Sequence, residues 1–221
     1  MSVTTVPVAR APRLLLALAK NRGLVAIVAV FALLLLLVDR IAPAPLAYYD
    51  YASLIGSGAA LALASIGQTF VIVVGGFDLS AGAVISLVNA IVATTPQDAS
   101  VAQAGVVLMG LAAGAAVGAF NGFFVAFLRL QPIVVTLATM FLVRGLTLLI
   151  LPDPGGAVAH DLTALFTGTV IPGLLPAPAV VVIGGMLIWL ALRRMRFGTA
   201  LFATGSDAES AHAAGIPVRW T

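Results

Sequence analysis

One aspartate, one serine and three glycines interrupt an otherwise apolar stretch, Gly75-Gly76-Phe77-Asp78-Leu79-Ser80-Ala81-Gly82. A carboxylate in such a setting is expensive to bury in hydrocarbon and marks a functional position by default. Glycines permit a break or a tight turn, and non-helical backbone is tolerated at membrane depth where it is buried in protein or lines a cavity. Two compatible readings follow. Asp78 caps the next helix, accepting from its first amides at the positive dipole end, or Gly75, Gly76, Asp78, Ser80 and Gly82 border a solute pathway. Arg144 poses a similar choice, between snorkelling to the interface and pairing inside a bundle.

Other chemistry is excluded by type and spacing. Lys20 is the only lysine, and no GxxxxGK[ST] surrounds it, so the chain holds no Walker A loop and does not hydrolyse ATP alone. His160 and His212 fall on opposite predicted sides of the membrane and do not share a metal. There is no HExxH, no serine in GxSxG and no second intramembrane carboxylate beside Asp78. Cysteine is absent, which removes disulfides and thiolate metal sites. We therefore expect no catalytic, metal or cofactor site in this chain.

The elements that carry these residues are set by hydropathy. Of 221 residues, 62% are hydrophobic and 9% charged, against roughly 45–50% apolar in a soluble domain, so a soluble globule is excluded. The charge-free windows are 23–38, 51–77, 79–97, 99–128, 130–143 and 162–192. A crossing helix needs about 20 apolar residues; the first window is extended by snorkelling Lys20 and Arg22, and the fifth continues past Arg144 to Leu151. The expected fold is all-α, a polytopic membrane bundle of about six spans. Continuous apolar runs argue against a barrel, whose strands alternate. A cleavable signal peptide over the first window is disfavoured by the long basic region before it and the spans after it.

Basic residues near span ends are retained in the cytoplasm. With the N-terminus inside, Arg10, Arg13, Lys20, Arg22, Arg129, Arg193, Arg194, Arg196 and Arg219 all fall inside, nine of the eleven basic residues. Both termini are then cytoplasmic, with a tail at 1–22, a membrane region at 23–192 and a cytoplasmic segment at 193–221. The basic excess thus marks a face against the lipid bilayer rather than a nucleic-acid surface.

Gly110, Gly114, Gly118 and Gly122 recur every four residues, a small-xxx-small pattern that lets a neighbouring helix approach closely. The proline-rich stretch 151–178 reads as an external loop with a surface for a partner. After the last window, Gly205-Ser206-Asp207 supplies turn and N-cap chemistry, 208–214 is helix-forming, and Gly215 followed by Pro217 stops the helix. Its small alanine face suits docking in a partner's groove.

Three ordered segments resemble the permease subunits of bacterial ABC importers for monosaccharides, the ribose and galactofuranose type of the branched-chain amino acid and sugar permease superfamily. The first is Gly67-Gln68-Thr69-Phe70-Val71-Ile72 running into the Asp78 segment, where the family commonly has GGIDLSVG; Phe77 and Ala81 depart from it. The second is Asn121-Gly122, then Gln131-Pro132-Ile133-Val134-Val135-Thr136-Leu137-Ala138-Thr139-Met140 with Arg144-Gly145. The third runs from Arg196-Phe197-Gly198 to Gly215-Ile216.

The resemblance implies a passive pathway subunit in the bacterial inner membrane. Its implied partners are a second permease subunit, ATPase subunits that bind the ATP, and an extracytoplasmic sugar-binding protein. It assigns Asp207, Ala208, Glu209, Ala211, Ala214 and Gly215 to ATPase docking, and Asp78 and Ser80 to the pathway. Family members continue after the coupling segment with several further spans. The expectation is therefore a piece of a longer permease, the alternative being a truncated, noncatalytic membrane protein without transport of its own.

Overall fold

The computed structural model describes residues 21–218; Arg10, Arg13, Lys20 and Arg219 lie outside them. The chain divides into two compact units, 1–51 and 52–221. In the first, α1 (Arg22–Ile41) is free of charge from Gly23 to Val38 and buries none of its residues. Its exit is closed by carboxylates, Asp39 Oδ1 accepting from the Leu46 amide at 3.1 Å and Asp50 Oδ2 from the Ala47 amide at 2.7 Å. The latter bond opens α2 (Tyr48–Val73), which runs on into the second unit.

The second unit continues with α3 (Ala81–Thr94), α4 (Ser100–Ala126), α5 (Pro132–Ile150), α6 (His160–Thr167), a two-stranded hairpin of β1 (Thr169–Ile171) and β2 (Leu175–Pro176), α7 (Ala177–Leu192), α8 (Arg196–Ser206) and α9 (Ala208–Ala213). The all-α membrane class holds. Four helices, α1, α2, α4 and α5, are long and apolar enough to cross a membrane, and α7 with α8 makes a fifth candidate bent by 76°. The window at 79–97 yields only the 14-residue α3, about 21 Å of helix. The turn through Gly75 and Asp78 before it, and the extended Thr95 with Pro96 after it, bound this short helix where a sixth full-length helix was expected.

Helix α3 nevertheless fills a bundle position, packed between α4 and α5. Ala83, Leu87 and Val143 form the core there, with Ile91, Val117 and Met140 against them. Close approach to α4 depends on missing side chains: a Cβ on Gly110 would stand 3.0 Å from Val88 Cγ1, and one on Gly114 3.7 Å from Val84 Cγ1. Those pairs make α3 and α4 antiparallel. By contrast α2 and α7 run parallel, since Gly56 meets Pro178, Gly185 meets Leu63, and Phe70 stacks edge-on with Trp189 at 4.6 Å. Large apolar side chains such as Leu108, Phe141, Leu149 and Ile188 face outward, as expected of a surface solvated by lipid, where small residues and polar contacts hold helices together.

The stretch 151–178 is folded rather than a plain loop. The Ala157 amide donates to the Ala93 carbonyl at 3.0 Å, and the Ala159 amide to Gln97 Oε1 at 2.9 Å. Gln97, buried, returns its Nε2 to the Val92 carbonyl. The segment is thereby tied to the C-terminal end of α3, and α6 and the hairpin follow before α7.

Candidate functional site

The break after α2 is a Schellman ending. Gly75 takes φ +84°, its amide donates to the Ile72 carbonyl, and the Gly76 amide donates to the Val71 carbonyl, both at 2.9 Å. Gly75 is needed for the left-handed conformation and Gly76 for space, since a Cβ there would meet Val71 Cγ1 at 3.0 Å. Gly82, inside α3, has no neighbour within 4 Å of a built Cβ and is not required by geometry.

Asp78 does not cap α3 in the expected way. Its Oδ1 accepts from the Ser80 amide at 2.7 Å and from the Ser80 hydroxyl at 2.6 Å, an Asx-type turn one residue short of the helix. Ser80 precedes the helix with an αR backbone and makes no side-chain cap bond. The reason lies across the bundle: Asn121 Nδ2 donates to Ser80 Oγ at 3.0 Å, so the hydroxyl is an acceptor for α4 and a donor to Asp78. Ser80 is 1% exposed and Asn121 7%. The Thr136 hydroxyl, from α5, donates to the Phe77 carbonyl at 3.2 Å, sharing that hydrogen with the Pro132 carbonyl of its own helix at 2.9 Å.

Depth follows from these partners. Asn121 lies in the last two turns of α4 and Thr136 in the first two of α5, so the Asp78 turn sits toward the end of the bundle where Arg129 connects those helices. Arg129 itself adopts a left-handed φ of 55°. A cavity of about 380 Å³ opens on that side, lined by Val74, Gly75, Asp78, Gly118, Asn121, Gly122, Pro132 and Thr136, and by Phe197 and Leu201 of α8. A second, of about 270 Å³, lies deeper, among Gly67, Gln68, Asp78, Ser80, Val84, Gly114 and Gly118. Asp78 and Gly118 line both.

The glycine stripe of α4 is therefore divided. Gly110 and Gly114 pack against α3, but Gly118 and Gly122 have nothing within 4 Å of a built Cβ. Packing was expected of all four; instead α3 begins too late to cover the last two, which border cavities. Arg144 is exposed on α5 with no ion pair among the described residues, about 9 Å of helix short of Ile150, within reach of the nearer interface by snorkelling.

At the same end of the unit, α7 turns into α8 at Arg193–Met195, where Gly198 faces the Leu192 carbonyl and Arg193 backbone too closely for any side chain. Residues 205 and 206 were read as a turn; they instead finish α8, whose Gly205 lies against the Val73 carbonyl at the end of α2. Helix α9 matches its sequence signals. Asp207 accepts from the Glu209 amide at 3.0 Å, the Ser210 amide at 3.2 Å and the Ser210 hydroxyl at 2.6 Å. Those bonds, Ser210's hydroxyl foremost, hold its carboxyl below the usual carboxylate range. Gly215, at φ +84°, closes the helix with its amide on the His212 carbonyl and the Ile216 amide on that of Ala211. Ala208, Glu209 and Ala214 are exposed, whereas Ala211 is 4% exposed. Ala211 thus packs inward and is not available to a docking partner in this conformation.

Gln68, Asn121 and Thr136 belong to the resembling segments, yet no role was read for them. The available signal was an amide or hydroxyl within a charge-free span, which in lipid requires a partner.

A bundle with four or five helices long and apolar enough to cross a membrane belongs to the class of multi-pass membrane proteins. Residues 51–221 match the family described as branched-chain amino acid transport system / permease component, and the chain belongs to that family. It is 32% identical over 197 residues to the probable ABC transporter permease protein y4mJ of Sinorhizobium fredii, covering 89% of this chain and 59% of that one. It is 35% identical to the galactofuranose transporter permease protein YtfT of Escherichia coli (75% and 48% covered) and 30% identical to the ribose import permease protein RbsC of Bacillus subtilis (84% and 58%). The chain therefore spans about half the length of these relatives. No solved structure matches it.

Proposed function

We propose that the chain is part of the membrane pathway of an ABC importer for a monosaccharide in the bacterial inner membrane, taking no catalytic part itself. ATP is bound and hydrolysed by separate ATPase subunits, a second permease subunit completes the pathway, and an extracytoplasmic binding protein delivers the sugar. The observation that carries this reading is the Asp78 turn between two cavities in a chain whose relatives are named as galactofuranose and ribose permeases. Both termini lie on the cytoplasmic side, so the larger cavity faces the cytoplasm and the Asp78 turn guards the exit. Domain boundaries follow: a tail at 1–22, the pathway at 23–192 and the ATPase-coupling segment at 193–221.

Coupling is assigned to α9, with Asp207 and Gly215 shaping it and Ala208, Glu209 and Ala214 offering its outer face. Because α8 carries Gly205 against the end of α2, a push on α9 reaches the Asp78 turn through backbone contact. The test is co-purification with the ATPase, followed by Glu209→Arg combined with Gly215→Arg. Loss of association with retained membrane insertion is expected, and unchanged association removes the docking assignment.

A further inference from the structure

Helix α7 runs into Arg193-Arg194-Met195-Arg196 and turns into α8 there. All three arginines are exposed, and none makes an ion pair among the described residues. The stretch 193–206 holds no carboxylate, and Asp207 beyond it is taken up by its own helix, accepting from the Glu209 and Ser210 amides and the Ser210 hydroxyl. The dipole of α7 accounts for cations at its C-terminal end, but Arg196 opens α8, at the positive end of that helix's dipole. Met195 before it makes no side-chain cap bond. Three positive charges thus gather at one elbow with no carboxylate of the described residues paired to them.

Depth places this charge at a membrane surface. Helix α7 is apolar to its last turn and turns Ile188 and Leu190 outward, so the arginines continue a surface that faces lipid. Trp189, of a residue type that collects at the headgroup level, stands about 6 Å of helix before Arg193. The bend of 76° sets α8 nearly at right angles to α7, so α8 runs along the bilayer surface when α7 crosses it. Met195 is 56% and Phe202 44% exposed, while Gly198, Leu201 and Thr204 are buried against the unit. Basic residues interleaved with exposed apolar ones, on a helix lying in the interface, make a surface-seated segment. Guanidinium groups bind phosphate through paired N–H donors, and an anionic leaflet attracts clustered arginines. An acidic protein surface would match the charge but would not explain its continuity with the lipid-facing side of α7.

We propose that the α7–α8 elbow is a binding site for anionic phospholipid, in which Arg193, Arg194 and Arg196 hold phosphate headgroups while Met195 and Phe202 enter the acyl boundary. The seat fixes α8, whose Gly205 meets the Val73 carbonyl and whose Phe197 and Leu201 wall the larger cavity. Anionic lipid in this way sets how firmly the coupling segment bears on the Asp78 turn. That consequence, unlike lipid binding itself, rests on the pathway reading given above.

The experiment places the chain in nanodiscs of phosphatidylcholine alone or mixed with phosphatidylglycerol. Native mass spectrometry counts the lipids retained on the released chain, and thermal unfolding reports stabilisation. The unaltered chain is expected to retain phosphatidylglycerol over phosphatidylcholine and to melt several degrees higher in its presence, both effects weakening with added salt. Arg193→Gln combined with Arg194→Gln and Arg196→Gln should keep the melting temperature found in phosphatidylcholine and lower phosphatidylglycerol retention on the order of tenfold or more. Arg144→Gln, on α5, should leave retention unchanged. An unaltered chain without preference for phosphatidylglycerol, or a triple variant that keeps that preference, would overturn the lipid site. Loss of ATPase co-purification in the triple variant with its lipid preference intact would overturn it too, assigning the elbow to a protein surface. In the assembled transporter, phosphatidylglycerol should raise sugar-dependent ATP turnover for the unaltered chain and not for the triple variant. Absence of turnover in every lipid would overturn the permease reading and leave the lipid-retention result standing.

Discussion

Asp78 Oδ1 holds its turn by accepting from the Ser80 amide and hydroxyl, and a specific prediction follows if hydrogen bonding rather than charge organises it. Asp78→Asn keeps an oxygen for the Ser80 amide and hydroxyl, so thermal unfolding in detergent should stay near that of the unaltered chain. Asp78→Ala leaves both buried Ser80 donors without an acceptor, which costs about 1–3 kcal/mol and should lower the melting temperature clearly. Equal destabilisation by the two variants would mean that charge, not hydrogen bonding, organises the segment. Asp207 offers a titration at the same scale. Its carboxyl is held below the usual range, so the cap it provides is complete above the unfolded-state value and is lost as pH falls through the lowered folded value. Protection of the Glu209 and Ser210 amides, relative to their intrinsic exchange rates at each pH, should fall only in that acidic window, and Asp207→Ala should show the reduced protection at neutral pH.

Elements meet here where side chains are missing. Gly205 sets the backbone of α8 against the Val73 carbonyl, while Gly58, in α2, has nothing within 4 Å of a built Cβ. Gly205→Val forces α8 away from the end of α2, and overpacking of this kind costs about 1–3 kcal/mol; Gly58→Ala should be neutral or stabilise by about 0.5–1 kcal/mol through helix propensity. Thermal melts of both variants check the contrast. In an assembled transporter Gly205→Val should also retain ATPase association while slowing sugar-dependent ATP turnover, because the contact proposed to carry motion to the Asp78 turn has been displaced. The short α3 belongs at this scale too. The Asp78 turn before it and the extended Thr95 after it confine α3 to 14 residues beside an α4 of 27.

For the molecule as a whole, the orientation proposed from loop charges is open to a direct check, helped by the absence of cysteine from the sequence. Ala99→Cys lies between α3 and α4, and Leu128→Cys between α4 and α5; both positions are exposed. In intact cells a membrane-impermeant maleimide should label Ala99→Cys, and Leu128→Cys only after permeabilisation. The opposite pattern would invert the topology and place the larger cavity on the outer side.

The membrane class, the sites of the breaks and the form of α9 were legible in the residues alone, because hydropathy, a left-handed glycine and an N-cap aspartate act within a few positions of chain. Asp207 and Gly215 could be read in this way without knowing any neighbour. What Ser80 accepts from, which of Gly110, Gly114, Gly118 and Gly122 are packed, and the inward turn of Ala211 were settled only by tertiary structure. Each depends on a partner distant in sequence: Asn121 on α4 draws Ser80 out of the capping role, the late start of α3 leaves Gly118 and Gly122 uncovered, and α8 receives α9. Local chemistry is written where it acts, whereas burial is a property of two surfaces, and only the folded chain brings the second one into place.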